Sequence, residues 1–382
     1  MVNRTFWQKQ IEALWKEKSI IWLSGIRRAG KTFLSKSLPN IEYFDCELPR
    51  TRRMLEDPEG FLETFKEKRI ILDEIHRLKN PSELLKIAAD YYPSIQVLAT
   101  GSSTLGASRK FKDTLTGRKR SLWLTPMNLN DLADFNNINL SHRFLHGGLP
   151  PFFMAQKLPE KDFQEWIDAY WAKDIQELFR LERRYSFQRF FELLMAQSGG
   201  IFEATRFAKL CEVSRTTITN YLKVLEATFV AHVIRPFSSH RPTEIVLAPK
   251  IYGFDTGFVC YHRGITTLRS EDMGLLWEHI VLNELQAELQ TRNIYYWRDK
   301  RGHELDFILI QKNKIPLAIE CKSTLAENSI RTRNIQAFLT QYPQAKIFYV
   351  CPDVKRVYQI KLKTTKITVT NLPTLLKALN NA

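Results

Sequence analysis

The chain lacks any run of about eighteen apolar residues, so no helix in it is expected to cross a bilayer. Its start, MVNRTFWQKQ, has none of the apolar core that marks a signal peptide. Cysteine is scarce and unpatterned. Cys46, Cys211, Cys260, Cys321 and Cys351 make an odd number and form no C-x-x-C pair, which speaks against both a disulfide framework and a zinc site. These absences together predict a cytoplasmic chain. Acidic residues are also in short supply: 41 Asp and Glu face 56 Lys and Arg, a formal net charge of +15. An enzyme that handles only small molecules has little use for that surplus, and a polyanionic partner such as DNA accounts for it. Basic residues concentrate at 109–120 (RKFKDTLTGRKR) and 180–189 (RLERRYSFQR), where a solvated charged face is the alternative explanation.

What is present in quantity is apolar. Of 382 residues 44% are hydrophobic, enough for the cores of two or three domains. Residues 19–24 (SIIWLS) read as a short strand, residues 33–38 as the first turns of a helix, and between them lies GIRRAGKT, Gly25 to Thr32. The spacing G-x-x-x-x-G-K-[ST] has a mechanical reason. Glycines let the backbone curl so that its N–H groups face an anion, and the helix N-terminus adds positive dipole. The loop Gly25, Ile26, Arg27, Arg28, Ala29, Gly30, Lys31, Thr32, with Phe33 after it, is therefore expected to hold ATP. Lys31 would reach the terminal phosphates, and the Thr32 hydroxyl would ligate Mg2+. Downstream, KRIILDEIH (68–76) is a strand ending in two carboxylates. Asp73 is expected to hold Mg2+ through water and Glu74 to polarise the attacking water. A further strand, IQVLAT (95–100), ends in GSS, and Ser102 or Ser103 is a candidate partner of the γ-phosphate or the attacking water. A tight turn also explains hydroxyls at that position.

GIRRAGKT, IILDEIH and VLATGSS, followed by LTGRKR and LTPMNLNDL, resemble the prokaryotic AAA-type ATPases of a clade whose ATPase core is joined to a C-terminal region of unknown function. HGGLPPFF (146–153) and AYWAKDI (169–175) resemble that clade's linker segments. The resemblance implies a homo-oligomer, such as a hexameric ring, in which an arginine of one subunit completes its neighbour's site. Arg118 is the candidate finger, with a surface role as the alternative.

Farther on, residues 204–210 and 214–227 have helix-turn-helix spacing. Ile218, Tyr221, Leu222 and Leu225 would face a core. Arg215, Thr216, Thr219, Asn220 and Lys223 would face outward, as residue types suited to phosphates and base edges. Strands at 229–237 and 248–255, with His240 and Arg241 between them, complete a winged helix, a module that either contacts DNA or serves in packing.

In the last third, a helix at 274–290 carries Glu278, and two strands, HELDFILI (303–310) and PLAIECKS (316–323), form a hairpin. Side chains alternate along a strand, so Glu320 and Lys322 share a face that Asp306 can meet from the adjoining strand. Asp, then Glu-x-Lys across a hairpin, resembles the core of the PD-(D/E)XK nuclease superfamily. It implies a cation held by Asp306, Glu320 and Glu278 against a scissile phosphate, with Lys322 orienting water. Glu304 is an acidic neighbour on the face of Asp306.

The expected architecture is α/β: a P-loop AAA-type ATPase core (1–155), a helical lid or linker (156–200), a winged helix (201–262) and a PD-(D/E)XK nuclease-like domain (263–382). Three functions fit it. The first is a DNA-directed ATPase that binds or remodels DNA, branched DNA included. The second is an ATP-gated, metal-dependent nuclease of defence or mobile-element biology. The third is a nucleotide-dependent assembly switch that works without hydrolysis.

Overall fold

The computed structural model describes residues 2–101, 115–158, 160–179, 181, 183–238, 248–310, 314–324, 332–362 and 365–380. Two compact units divide the chain: Met1–Phe190 with Thr216–Val230, and Phe191–Arg215 with Ala231–Ala382.

The first unit is built on five strands, β1 (Ile20–Gly25), β2 (Ile41–Asp45), β3 (Arg69–Asp73), β4 (Gln96–Gly101) and β5 (Lys119–Leu124), in the spatial order β2-β3-β4-β1-β5. Every pairing is parallel. A parallel sheet is covered on both faces, so its strands read as apolar runs without alternation, and β1 is buried from end to end. One core joins Ile20, Trp22, Ile70, Leu72, Val97 and Ala99 of the sheet to Leu84, Leu85 and Ala88 of the helix Pro81–Tyr91. The C-terminal ends of β1, β3 and β4 meet at one edge, where ligands of such sheets bind.

The helix Arg215–Ala227 belongs to this unit from Thr216 onward. Ile218, Tyr221, Leu222, Val224 and Leu225 are buried, while Arg215, Thr216, Asn220 and Lys223 are exposed and Thr219 is half-buried. Its Tyr221 ring packs edge-on against Phe187, 5.2 Å between centroids.

The second unit carries a nine-stranded mixed sheet: β6 (Gly200–Ile201), β7 (Ala231–Pro236), β8 (Lys250–Gly253), β9 (Tyr295–Arg298), β10 (Glu304–Ile310), β11 (Pro316–Cys321), β12 (Lys346–Val350), β13 (Tyr358–Leu362) and β14 (Thr365–Thr370). Their order is β13-β14-β12-β11-β10-β9-β7-β8-β6. The helix Ser270–Leu289 is buried nearly all round from Leu276 to Ala287, and Trp277 donates its indole N–H to the Val350 carbonyl at 3.1 Å.

The segment expected to form one winged helix is divided between the units. Its strands β7 and β8 do pair antiparallel, as a wing would. However, β7 also pairs with β9, Arg235 opposite Tyr295, so the hairpin continues the C-terminal sheet and its backbone groups are satisfied there. Residues 204–211 form the expected first helix, within the second unit. His240 and Arg241 lie outside the described residues.

Candidate functional site

The loop after β1 curls as its glycines allow. Gly25 (φ +152°) and Gly30 (φ +96°) occupy backbone conformations closed to most side chains, and a Cβ on Gly25 would overlap the Leu124 carbonyl. Gly30 opens the helix Lys31–Lys36. Lys31 is buried, and its ammonium donates to the carbonyls of Gly25 (2.8 Å) and Ile26 (3.1 Å). Desolvation lowers its pKa, against the opposing pull of Glu74, Asp174 and Asp73.

Asp73 ends β3 at the centre of a hydroxyl cluster. Thr32 (2.7 Å) and Tyr43 (2.6 Å) donate to one carboxylate oxygen and Thr100 (2.5 Å) to the other. The Tyr43 hydroxyl is thereby pushed above its usual range, by burial first and by the Asp73 hydrogen bond second. A hydroxyl beside a carboxylate is the donor set of a hard divalent cation, so Thr32 and Asp73 fit Mg2+. Glu74 follows in a left-handed backbone conformation (φ 52°), its N–H donating to Thr100 Oγ1 at 2.9 Å. Burial pushes the Glu74 carboxyl up to about 7, against the counter-pull of Lys31, and His76 Nδ1 stands 3.2 Å from its Oε2.

Two hollows flank the loop. One, of about 840 Å³, is walled by Arg4, Arg28, Phe33, Phe135, Pro150 and Met154 among others, an apolar enclosure with the phosphate loop at its floor. Phe33 is 67% exposed and lines this hollow. The other, of about 250 Å³, is polar and holds Thr32, Asp73, Glu74 and Asp174.

Arg4 is a member of the site with no motif to mark it. It is buried, donates to the Ala29 carbonyl of the loop (2.7 Å) and forks onto Asp131 (2.8 and 2.6 Å). Asp131 in turn closes a capping box with Asn128. Arg4 and Asp131 are 127 residues apart in sequence, so only folding joins them. Tyr43, Thr100 and Asp174 likewise carry no local signal, although Thr100 sits next to GSS in the sequence and Asp174 within AYWAKDI.

Arg118 lies just before β5, whose Lys119 pairs with Ile20 at the start of β1. That is the sheet edge opposite the phosphate loop, and Arg118 bonds Asp90 there at 2.7 Å. Within one chain it takes no part in the nucleotide site. Ser102 and residues 109–114 of the basic run lie outside the described residues.

In the second unit, Phe307 of β10 faces Ile319 of β11, which sets Asp306 opposite Glu320 at the next pair. Asp306 Oδ2 accepts the Cys321 N–H (2.7 Å), and Lys322 donates to Glu320 Oε1 (2.7 Å). Glu320 Oε2 is buried without a hydrogen-bond partner. Burial, then the charge of Asp306, pushes the Glu320 carboxyl up to about 8, and the same two causes push Glu278 up to about 7. Glu278, however, accepts the Tyr252 hydroxyl at 2.7 Å, and Glu304 is ion-paired with Lys250. Two residues of β8 thus engage two of the four carboxylates. Among the described residues no three His, Cys, Asp or Glu are gathered to hold a metal ion, so Asp306, Glu320 and Glu278 do not form a ready-made cage.

Residues 17–133 match the family model of an AAA domain. With the loop and carboxylate geometry above, this makes the first part of the chain a P-loop ATPase domain of the AAA type. Residues 137–269 match a domain of unknown function (DUF8612) and residues 273–375 another (DUF4143). The uncharacterized protein Rv2008c of Mycobacterium tuberculosis is 28% identical over 351 residues, 88% of this chain and 77% of that one. The uncharacterized protein MJ1544 of Methanocaldococcus jannaschii is 20% identical over 80% of this chain and 76% of its own. Among solved structures, the Walker-type ATPase PABY2304 of Pyrococcus abyssi aligns with 14% identity over 69% of this chain and 96% of its own, TM-score 0.44. No helix among the described residues is long and apolar enough to cross a membrane.

Proposed function

We propose that the protein is a DNA-directed ATPase, in which ATP binding and hydrolysis at Lys31, Thr32, Asp73 and Glu74 control a grip on DNA. One observation carries the reading. The helix Arg215–Ala227, on which Arg215, Thr216, Asn220 and Lys223 are exposed and Thr219 is half-buried, is packed from Thr216 onward into the same unit as the phosphate loop. The link is physical: Tyr170 and Thr228 share a 2.6 Å hydrogen bond, and Trp166, one turn before Tyr170, donates to the Arg27 carbonyl of the loop at 3.2 Å. A helix with polar and basic residues on its exposed face and a net charge of +15 suit a phosphate backbone.

In this reading backbone N–H groups of the loop and Lys31 bind the phosphates. Thr32 and Asp73 would hold Mg2+, which would supply positive charge against that developing on the phosphates. Glu74 takes the proton of the attacking water. Arg118, on the far edge of the sheet, would serve the site of a neighbouring subunit in a homo-oligomer, such as a hexameric ring.

ATP turnover is expected to rise on adding DNA, and DNA affinity to fall steeply with salt. The measurement is steady-state ATP hydrolysis with single-stranded, duplex and branched DNA. No response to any of the three would refute the DNA reading. If Glu74→Gln leaves function intact while wild-type turnover is negligible, the non-hydrolytic switch replaces it. Metal-dependent cleavage by the second unit is the other reading, favoured by the unpartnered Glu320 Oε2 beside Asp306 and Lys322.

A further inference from the structure

The helix Glu160–Tyr170 runs directly into a π-helical turn, Trp171–Ile175. Such turns are rare, shift the side chains that follow, and occur often at functional sites. Here the turn places Asp174 inward, 2% exposed, with its carboxylate 3.4 Å from an Nη of Arg27 in the phosphate loop. Asp174 also lines the polar hollow with Thr32, Asp73 and Glu74, and its charge is felt by both Lys31 and Glu74.

The pairing leaves Arg27 incompletely satisfied. A charge-assisted N–H···O bond is normally about 2.7–2.9 Å long, and this one is longer. Arg27 Nε is buried with no hydrogen-bond partner at all. A phosphate offers a guanidinium two acceptor oxygens in the geometry of its own fork, so it competes well against a single long carboxylate contact. The buried charge of Asp174 lies on the side of Thr32 and Asp73, where the terminal phosphate and its cation would sit. The Arg27 it holds is therefore within reach of a terminal phosphate that a triphosphate has and a diphosphate lacks.

We propose that Asp174 is a positioning residue that makes the site sensitive to the γ-phosphate: it holds Arg27 at the loop and yields it to a triphosphate. The proposal rests on the nucleotide reading above and adds to it a residue and a state dependence. Exchange of Arg27 between Asp174 and phosphate removes the side-chain tie between the π-turn and the loop while the Trp166 bond to the Arg27 carbonyl stays, so the π-turn registers which nucleotide is bound.

Asp174→Asn keeps the shape and removes the charge. By calorimetric titration with Mg2+ present it is expected to bind ATP about tenfold more tightly than the wild type, with ADP affinity changed by less than about twofold. In an Arg27→Ala background the gain for ATP should be lost, because the competition has been removed. Asp174→Ser carries the same expectation and serves should the Asn variant fail to fold. An equal change for ATP and ADP, or a gain for ATP that persists without Arg27, overturns the role of Asp174 while leaving nucleotide binding in place. A wild-type protein that binds neither nucleotide overturns both.

Discussion

At the scale of single residues, the chemistry turns on what burial does to Lys31 and Glu74. In the proposed reaction Glu74 accepts the proton, and desolvation holds its carboxyl up at about 7 despite Lys31 nearby. A carboxyl raised in this way is protonated below that value and charged above it, and only the charged form is a base. The kcat/KM for ATP should therefore drop about tenfold per pH unit below roughly pH 7 and level off above it. Glu74→Gln should abolish turnover but keep ATP binding. A flat profile of kcat/KM between about pH 5.5 and 8.5 would show that Glu74 is not the base. Lys31, Thr32, Asp73 and Glu74 are legible in the sequence because each lies at a set distance from a glycine or a strand end. Their supports are not. Tyr43, Thr100 and Arg4 reach the site from other strands and from the N-terminal segment, at sequence separations where no spacing rule applies.

At the scale of elements, the helix Arg215–Ala227 illustrates how periodicity is read and where it stops. Ile218, Tyr221, Leu222 and Leu225 recur at helical spacing and are buried, so the helix and its inner face follow from the pattern. What they are buried against does not follow, and the partner is Phe187 of the first unit rather than a wing of its own. Arg215 and Lys223 stand on the exposed face, so Arg215→Ala with Lys223→Ala should leave the melting temperature within a degree or two while weakening DNA binding. Each lost phosphate contact should also flatten the slope of log affinity against log salt by about one. Fluorescence anisotropy at several salt concentrations measures both quantities. Unchanged affinity would assign the helix to packing. The wing strands were legible as strands but not as members of a nine-stranded sheet, because pairing to β9 is a register chosen by a segment some sixty residues away.

At the scale of the whole molecule, the chain carries two polar centres, one in each compact unit. The second sets Asp306 opposite Glu320 across a hairpin, with Asp306 accepting the Cys321 N–H, Lys322 donating to Glu320, and Lys250 and Tyr252 drawn to the flanking carboxylates. If this centre cleaves DNA, Asp306→Ala and Lys322→Ala should each abolish nicking of supercoiled DNA in Mg2+ or Mn2+ while ATP turnover stays within about twofold, since separate sites act independently. No nicking by the wild-type protein with either metal, with and without ATP, would leave the second unit a binding module.

The sequence by itself determined the phosphate loop, the carboxylate pair after β3, the parallel strands that carry them and the hairpin that faces Asp306 toward Glu320. These depend on local spacing and on the alternation of side chains along one or two strands. Only the tertiary structure decided that Arg4 braces the loop, that Asp174 faces Arg27, that Arg118 lies on the opposite edge of the sheet and that Glu278 is taken by Tyr252. Apart from Arg118, which pairs with Asp90 at the surface, each of these is a contact in which at least one polar group is buried. Burial makes such groups find partners wherever the fold brings them, whatever their distance along the chain.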